Sequence, residues 1–472
     1  MTGSLAFLAF TIGIAGLFYL DRDDTVHTSK GLWLPVMWLW IVGSRPVSIW
    51  LGAGPADQTP TQLLEGSPLD RFVFQVLLAA GIYVLYRRRK QTTAFLRTNW
   101  PILAYFAFGL VSVLWADFPD VTFKRWIKAI GDLVMVLIVV TESEPLAALR
   151  RVFARAGFIL LPYSVMLIKY SVIGRGYDPD GMPMNTGVTT NKNTLGVVTF
   201  VLALAALWRV WTLLREKRLE HRGRRLLAQS VLLAFGVVLL VQAHSATSVA
   251  SFGLGAVVLL ATSLPIIGRR PSAVHAVVLT IVLAGAFAVL SGGKTEIAHA
   301  LGREENLTGR TDIWAAVLRG VDNPLLGAGF ESFWLGTRLL RVWSGLSQYM
   351  HVNEAHNGYL EMYLNLGWVG VALLAAILVT AYKRAVAAFR WNPEIGALML
   401  AFVAGAVVYS GTEAGFRMLN PIWICLLLAQ VGAVGMAGTA GRASQPLRIP
   451  AGQVSDSTLD QNAAESLWWN GR

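Results

Sequence analysis

Two kinds of residue in this sequence could do chemistry at the edges of apolar runs. His356 lies in EAHNGYLEMYLNLGWVG (residues 354–370), directly before an apolar stretch, and imidazole accepts a proton near neutral pH. Arg binds phosphate oxygens through a planar fork, and Lys binds them as a point charge, so cations placed beside such runs indicate an anionic ligand. Eight cations have this placement, and five of them are candidates for binding such a ligand: Arg45, Arg175, Lys192, Arg310 and Arg338.

The composition defines the surroundings of these residues. Of 472 residues, 55% are hydrophobic and 14% charged, and the mean hydropathy is +0.53. Apolar runs of roughly 17–25 residues recur, which predicts an all-α polytopic integral membrane protein with about 12–13 transmembrane helices. The first run has no basic segment before it and no cleavage site after it, so we expect a retained span. The single cysteine, Cys425, provides no disulfide framework.

Basic loops predict the orientation of these helices. Cytoplasmic loops collect Lys and Arg, so the net charge of +12 reflects orientation and not nucleic-acid binding. Alternating the spans places all the basic loops on one side, including RRRK and REKRLEHRGRR, and makes that side cytoplasmic. The candidate spans lie near residues 3–20, 31–51, 71–86, 100–116, 126–140, 154–173, 194–214, 226–243, 249–267, 273–291, 358–381, 395–412 and 419–437.

Four regions follow from this arrangement. One external loop is long enough to fold, and short helices are expected in it: TGRTDIWAAVLRG begins with a capping Thr308 or Thr311, and ESFWLGTRLLRVWSGL is amphipathic. We expect the second helix to lie on the membrane with Arg338 at its surface. The predicted regions are N-terminal transmembrane helices (1–291), the catalytic external loop (292–357), C-terminal transmembrane helices (358–437) and a disordered cytoplasmic tail (438–472).

Each cation has an ordinary explanation beside the functional one. A long cationic side chain can extend toward lipid phosphates, and this alternative is strongest for Arg338. DPDG (residues 178–181) has the Asp-x-Asp spacing of a metal-binding motif, but its Pro and Gly predict a tight turn. His351 is five residues from His356, whereas a helical zinc pair needs four. We therefore expect no metal site.

TGRTDIWAAVLRGVDNPLLGAGFESFW, followed by EAHNGYLEMYLNLGWVG, resembles the O-antigen ligase and polysaccharide polymerase family. MNTGVTTNKNTLG and GSRPVSIW support the resemblance, which is greatest to exopolysaccharide polymerases of the succinoglycan type. It implies a GT-C-like, multi-helix glycosyltransferase of the bacterial inner membrane whose active site faces the periplasm. The implied donor is an undecaprenyl-diphosphate-linked glycan, and no cofactor or metal is needed.

The resemblance also assigns residues. The essential His and Arg of the family map onto His356 and Arg310, and Arg175 or Lys192 stands in for a second Arg. Arg45 and Arg338 complete the predicted diphosphate-binding set. We expect His356 to stay neutral, because a helix N-terminus and Arg310 both disfavour its protonation. It would then take the proton of an acceptor sugar hydroxyl while the cations stabilise the departing diphosphate.

Several functions remain open from the sequence. A polymerase extends another glycan, whereas an O-antigen ligase transfers the glycan to lipid A–core. A transporter of lipid-linked glycans is a different class, and it is disfavoured because the cations gather at one face. A non-catalytic scaffold in an export complex is a further alternative. Candidate partners are membrane lipids, a chain-length regulator and export machinery.

Overall fold

The computed structural model describes residues 3–23, 25–53, 66–178, 181–216, 221–268, 270–290, 308–346, 352–389 and 391–443. Within these residues the fold is helical apart from one antiparallel hairpin, β1 (Arg175–Tyr177) and β2 (Pro183–Asn185). The N–H of Gly181 donates to Asp178 O at 2.9 Å where DPDG predicts a turn, and Pro179 and Asp180 lie outside the described residues. The helices are α1 (Gly3–Leu20), α2 (Trp33–Val42), α3 (Val47–Trp50), α4 (Pro68–Arg87), α5 (Arg89–Arg97), α6 (Trp100–Val111), α7 (Pro119–Val140), α8 (Pro145–Tyr170), α9 (Lys192–Arg215), α10 (Arg222–Gln242), α11 (Ala246–Ser263), α12 (Pro265–Gly268), α13 (Pro271–Leu290), α14 (Thr308–Arg319), α15 (Gly336–Ser344), α16 (Gly358–Ala388), α17 (Pro393–Tyr409) and α18 (Pro421–Ala443).

A helix lies at the position of every predicted span, but not every one of these helices is long and apolar enough to cross a membrane. Among the described helices, seven are long and apolar enough to cross a membrane: α1, α4, α8, α9, α10, α11 and α16. An eighth results if the bent pair of α5 and α6 counts as one, and four further apolar helices are shorter. The polytopic all-α prediction is therefore confirmed, with seven or eight spans by length and composition. One predicted span is shorter because a break after Val42 divides an apolar run that looks continuous in the sequence, which leaves α2 with ten residues.

Burial separates central helices from peripheral ones. In the most apolar segment of α9, 78% of the residues are buried, and α17 is buried along almost its whole length. The corresponding shares are 11% for α1 and 17% for α4, which therefore lie at the edge of the bundle. Since apolar edge helices need an apolar surrounding, α1 and α4 are suited to contact lipid.

The external loop, which is named for its predicted side of the membrane, has a small core of its own and packs onto the membrane helices. Helix α14 begins at Thr308 within the described residues, so Thr311 lies inside the helix and is not its N-cap, and α15 follows it. Their apolar side chains bury one another, including Ile313, Val317, Phe333, Leu339 and Val342. Residues 291–307 and 347–351 of this loop, and the tail from residue 444 for which disorder is predicted, lie outside the described residues. Residues 438–443, which the prediction placed in that tail, belong to α18.

The predicted surface position of Arg338 is wrong. Only 5% of this residue is exposed, and its guanidinium pairs with Asp117 at 3.0 Å and with Asp322 at 2.8 Å. Helix α15 buries Arg338 because two neighbouring segments supply carboxylates there. The spacing of residues within α15 contains no information about those segments.

Helix α16 is broken at Gly367, where φ is +61° and ψ is −162°. Residues 323–329 of the external loop cross the break and form the hydrogen bonds that the helix lacks there. Irregular backbone at membrane depth is tolerated only when protein groups satisfy it in this way. The bonds run from Ala328 N to Leu364 O (3.0 Å), Gly329 N to Asn365 O (2.9 Å), Trp368 N to Pro324 O (3.0 Å) and Val369 N to Leu325 O (3.2 Å).

We predict that Gly367→Ala destabilises the protein by about 2 kcal/mol or more, because its φ is positive and an added Cβ would lie 2.2 Å from Leu325 O. Gly13→Ala is the matched control, since its Cβ would meet nothing within 4 Å and Ala favours a helix. The measurement is the temperature at which detergent-solubilised protein stops eluting as a monodisperse peak. Equal midpoints for the two variants would contradict the packing at the break.

Candidate active site

His356 occupies a strained backbone position just before α16. Its φ is +49°, a left-handed conformation that non-glycine residues rarely adopt. Asn357 caps the helix instead, because its Oδ1 accepts hydrogen bonds from the backbone N–H groups of Tyr359 (3.0 Å) and Leu360 (3.1 Å). Helix capping therefore does not explain His356. Strain of this kind occurs where the surrounding structure fixes a residue, and it is concentrated at functional sites.

Two contacts fix this backbone. The N–H of Gly358 donates to Ser410 O at 2.8 Å, and a Cβ at Gly358 would lie 2.9 Å from Ser410 Cβ. Only glycine permits this approach between the start of α16 and the turn that follows α17. On the other side, the buried carboxylate of Glu361 accepts from the N–H of Ala355 at 2.5 Å and from Trp334 Nε1 at 2.9 Å.

Glu413, in the turn after α17, joins the two predicted catalytic residues. Its Oε1 accepts from Arg310 at 3.1 Å, and its Oε2 lies 3.2 Å from His356 Nδ1 and 3.2 Å from Asn193 Nδ2. Arg310 also donates to Thr412 O at 2.7 Å. The side chain of Glu413 is 5% exposed. Sequence reasoning missed this residue, although GTEAGFR places charges between two apolar runs.

The network continues on the other side of His356. Glu354 Oε1 lies 3.1 Å from His356 Nδ1, and Arg417 pairs with Glu354 at 3.5 Å and with Glu331 at 3.3 Å. Carboxylates and cations therefore alternate from Arg310 to Glu331. The network contains the guanidiniums of Arg310 and Arg417 and the carboxylates of Glu331, Glu354 and Glu413. A proton on His356 would therefore bring the net charge of the network to zero.

The pKa of His356 follows from this balance. Burial lowers it, but the hydrogen bond to Glu413 and the charges of Glu354 and Glu413 raise it more, and Arg310 opposes them only weakly. The net pKa lies above the usual value of 6.5. The expected direction of the pKa shift is therefore wrong: two carboxylates outweigh Arg310, and neither is recognisable as a neighbour from the sequence.

Backbone strain is concentrated around the same network. Glu331, with φ +51°, accepts from the N–H of Met418 at 3.3 Å. Leu419, with φ +56°, donates its N–H to Asp132 at 2.9 Å. Asp132 also accepts from Trp38 Nε1 at 2.8 Å, so this acidic residue within an apolar run holds the turn that carries Arg417.

Glu354, His356 and Glu413 are also the group best placed to bind a metal ion, since their three ligand atoms all lie within 4.8 Å of one another. However, Arg310 and Arg417 pair with the same carboxylates. Two adjacent guanidiniums compete with a divalent cation for these oxygens, so ion pairs within the protein already occupy this donor set.

The other predicted cations are not brought into this network. Arg45 is 9% exposed and donates to Gly187 O (2.7 Å), Ile173 O (2.5 Å) and Thr186 Oγ1 (3.0 Å). It therefore fastens the segment between β1 and α9. Lys192 precedes Asn193 but pairs with Asp178 at 3.3 Å, and Arg175 lies exposed on β1.

A cavity of about 230 Å³ opens beside the network, and Asn193, Glu354, Glu413 and Arg417 are among its lining residues. It provides space for a hydroxyl-bearing ligand near His356. The Nδ1 atom of His356 faces the two carboxylates, whereas Nε2 makes no hydrogen bond with any described residue. A neutral His356 held in this way presents Nε2 as a proton acceptor.

Part of the chain is similar to a known protein family. Residues 230–375, which include Arg310 and His356, match the protein-family model described as O-Antigen ligase. This match covers most of the region whose sequence motifs resemble that family, within a multi-pass membrane protein. It is similar to the exopolysaccharide production protein ExoQ of Rhizobium meliloti, with 28% identity over 369 residues that cover 74% of this chain and 77% of that protein. The chain is a distant relative of that protein, and Glu413 lies outside the residues that match the family model.

We predict that Glu413→Gln lowers the pKa of His356, because it removes the charge that raises it and weakens the hydrogen bond. Diethyl pyrocarbonate modifies neutral imidazole only. In the wild type, modification of His356 should therefore rise through a pH above 6.5, and in the variant it should rise at lower pH.

Mass spectrometry of the peptide that contains His356 gives the pH profile, and the peptide that contains His27 serves as the internal control. An unchanged or upward-shifted profile at His356 in Glu413→Gln would contradict the assigned hydrogen bond.

Proposed function

We propose that this chain is a glycosyltransferase of the bacterial inner membrane that polymerises undecaprenyl-diphosphate-linked repeat units into exopolysaccharide at the periplasmic face. The observation that carries the proposal is the bridge by which Glu413 holds both Arg310 and His356. The match to the O-antigen ligase model supports glycosyl transfer, and the likeness to an exopolysaccharide production protein supports a polymer as product.

The proposed step is one displacement at the anomeric carbon of the donor. His356 Nε2 takes the proton of an acceptor hydroxyl, and the hydroxyl oxygen forms a bond to the anomeric carbon. The bond from that carbon to the diphosphate oxygen breaks, and undecaprenyl diphosphate leaves with the electron pair. Attack opposite the leaving group inverts the centre, and His356 afterwards releases its proton to water.

Glu413 and Arg310 have distinct roles in this step. Glu413 orients the ring through Nδ1 and stabilises the imidazolium as it forms, as a carboxylate does in other base–carboxylate pairs. Two N–H groups of Arg310 are used by Thr412 and Glu413, and the guanidinium has five N–H donors in all. The remaining donors can face the developing negative charge of the diphosphate.

We predict that His356→Asn abolishes transfer without unfolding the protein, because Asn tolerates a left-handed backbone but cannot act as a base. Purified protein is given a synthetic undecaprenyl-diphosphate repeat unit in excess chelator, and the product is analysed on a gel. The wild type should form a glycan ladder and the variant none. His221→Asn is the matched control, since His221 has a similar φ of +55° and lies at the N-cap position directly before α10, outside the network.

Each other outcome of this assay has a defined meaning. Product that appears only when lipid A–core is added would make the protein a ligase. A ladder formed by His356→Asn would contradict the role of His356, and a ladder lost in chelator would contradict metal independence. Wild-type protein inactive with both acceptors would favour a transporter or a scaffold.

We predict that Arg310→Lys lowers the rate of transfer by about tenfold or more, because a single ammonium cannot bind Thr412 O and Glu413 together and still face the diphosphate. Arg341→Lys, at a side chain that is 56% exposed, should have little effect. Initial rates of repeat-unit consumption measure both. Full activity of Arg310→Lys would show that a point charge suffices at this position.

A further inference from the structure

A basic pocket of about 480 Å³ lies at the junction of α4 and α5, at the end of α4 that is predicted to be cytoplasmic. It is lined by Tyr86, by Gln91 and by the four successive cations of residues 87–90. No Asp or Glu is among these described lining residues. A concave surface with four positive charges and no acidic residue in its wall favours an anionic ligand.

Three of the four cations have no ion pair within the described part of the chain. Arg87, Arg89 and Lys90 are exposed, and no described carboxylate lies within 4 Å of any of them. The guanidinium of Arg89 lies over the ring of Tyr86, 5.7 Å from its centre. An anion that enters the basic pocket therefore breaks no ion pair of the protein to bind these three side chains.

The backbone that carries these cations is fixed at both ends of α5. At the first end, Arg88 pairs with Glu142 at 2.5 Å. At the second end, Arg384 of α16 donates to Thr98 O and to Asn99 Oδ1. These contacts hold α5, which lies at 90° to the helical segment that follows it. The basic pocket is therefore formed before a ligand binds, which lowers the entropic cost of binding.

An apolar stripe leads along α4 to the basic pocket. Phe72, Val76, Tyr83 and Tyr86 are each at least half exposed, and they follow one another at helical spacing, so they lie on one face of the helix. Only 17% of the most apolar segment of α4 is buried. The stripe is suited to contact acyl chains, and Tyr86 lies where the stripe meets the cations. Tyr is enriched at this boundary between hydrocarbon and headgroups.

We propose that the basic pocket binds the headgroup of an anionic phospholipid, with Arg87, Arg89 and Lys90 as its charges and the acyl chains along the exposed face of α4. Basic residues at the end of a membrane helix attract anionic headgroups, and a guanidinium also donates hydrogen bonds to phosphate oxygens. A free phosphate would leave the apolar stripe unused, whereas a phospholipid uses both features. The site is independent of the proposed function, because none of its described residues belongs to the network around Glu413.

The test measures binding of phosphatidylglycerol to detergent-solubilised, full-length protein by native mass spectrometry. Phosphatidylglycerol should bind more tightly than phosphatidylcholine, which has the same phosphate but no net charge. Arg87→Gln/Lys90→Gln should weaken the binding of phosphatidylglycerol about tenfold or more, because each cation near a headgroup adds to the attraction. Arg87→Lys/Lys90→Arg keeps both charges and should retain binding.

Arg270→Gln/Lys383→Gln is the matched control, since it also removes one exposed Arg and one exposed Lys on the predicted cytoplasmic side. Its affinity for phosphatidylglycerol should equal that of the wild type. Monodisperse elution of every variant shows that it is folded. A phosphatidylglycerol with a photoreactive acyl chain locates the bound lipid, and it should label the peptide that contains Tyr83.

A ligand that binds the folded protein alone also stabilises it. Phosphatidylglycerol should therefore raise the temperature at which the wild type loses its monodisperse peak, and it should raise this temperature less in Arg87→Gln/Lys90→Gln.

Four results would each overturn the proposal. The first is equal affinity of the wild type and Arg87→Gln/Lys90→Gln for phosphatidylglycerol, and the second is an equal loss of affinity in the matched control. The third is photolabelling confined to helices other than α4 and α5. The fourth is displacement of the lipid by inorganic phosphate at an equal concentration, which would assign the basic pocket to a free anion.

Discussion

The structure around the candidate site depends on one buried carboxylate, that of Glu413. Transferring a carboxylate out of water costs several kcal/mol unless cations and hydrogen-bond donors compensate it. Its partners come from three separate segments: Arg310 from α14, His356 from the residues before α16, and Asn193 from the first turn of α9. Compensating this charge therefore requires the external loop and the membrane helices to meet in one arrangement.

The break in α16 contributes a second constraint on the same arrangement. Residues 323–329 satisfy the backbone groups left open at Gly367, which attaches the external loop to a membrane helix. Glu331 follows this segment directly and pairs with Arg417, so attachment of the loop also positions one end of the charge network. The backbone bonds at the break and the ion pairs at the site thus support each other.

The sequence predicts much of the fold and part of the site. Hydrophobic runs locate a helix at each expected span, and the motifs around Arg310 and His356 predict that these two residues act together, which remains to be tested. The break at Gly367 is not predictable, because the apolar run continues through it. The protein partners of Arg45 and Arg338 are not predictable for one reason: the carbonyls and carboxylates that bind them belong to other segments, as distant as the 142 residues between Arg45 and Gly187. Glu413 is a single acidic residue in an apolar region, and its pairing with His356 depends wholly on tertiary structure.

The most direct test of this account is a double-mutant cycle on His356 and Glu413. Rates of transfer are measured for the wild type, His356→Asn, Glu413→Gln and the double variant. Residues that act as one unit have strongly non-additive effects on rate. If Glu413 acts through His356, the double variant should be no slower than His356→Asn alone. If the two losses multiply, Glu413 acts independently of the imidazole, and the central claim is contradicted.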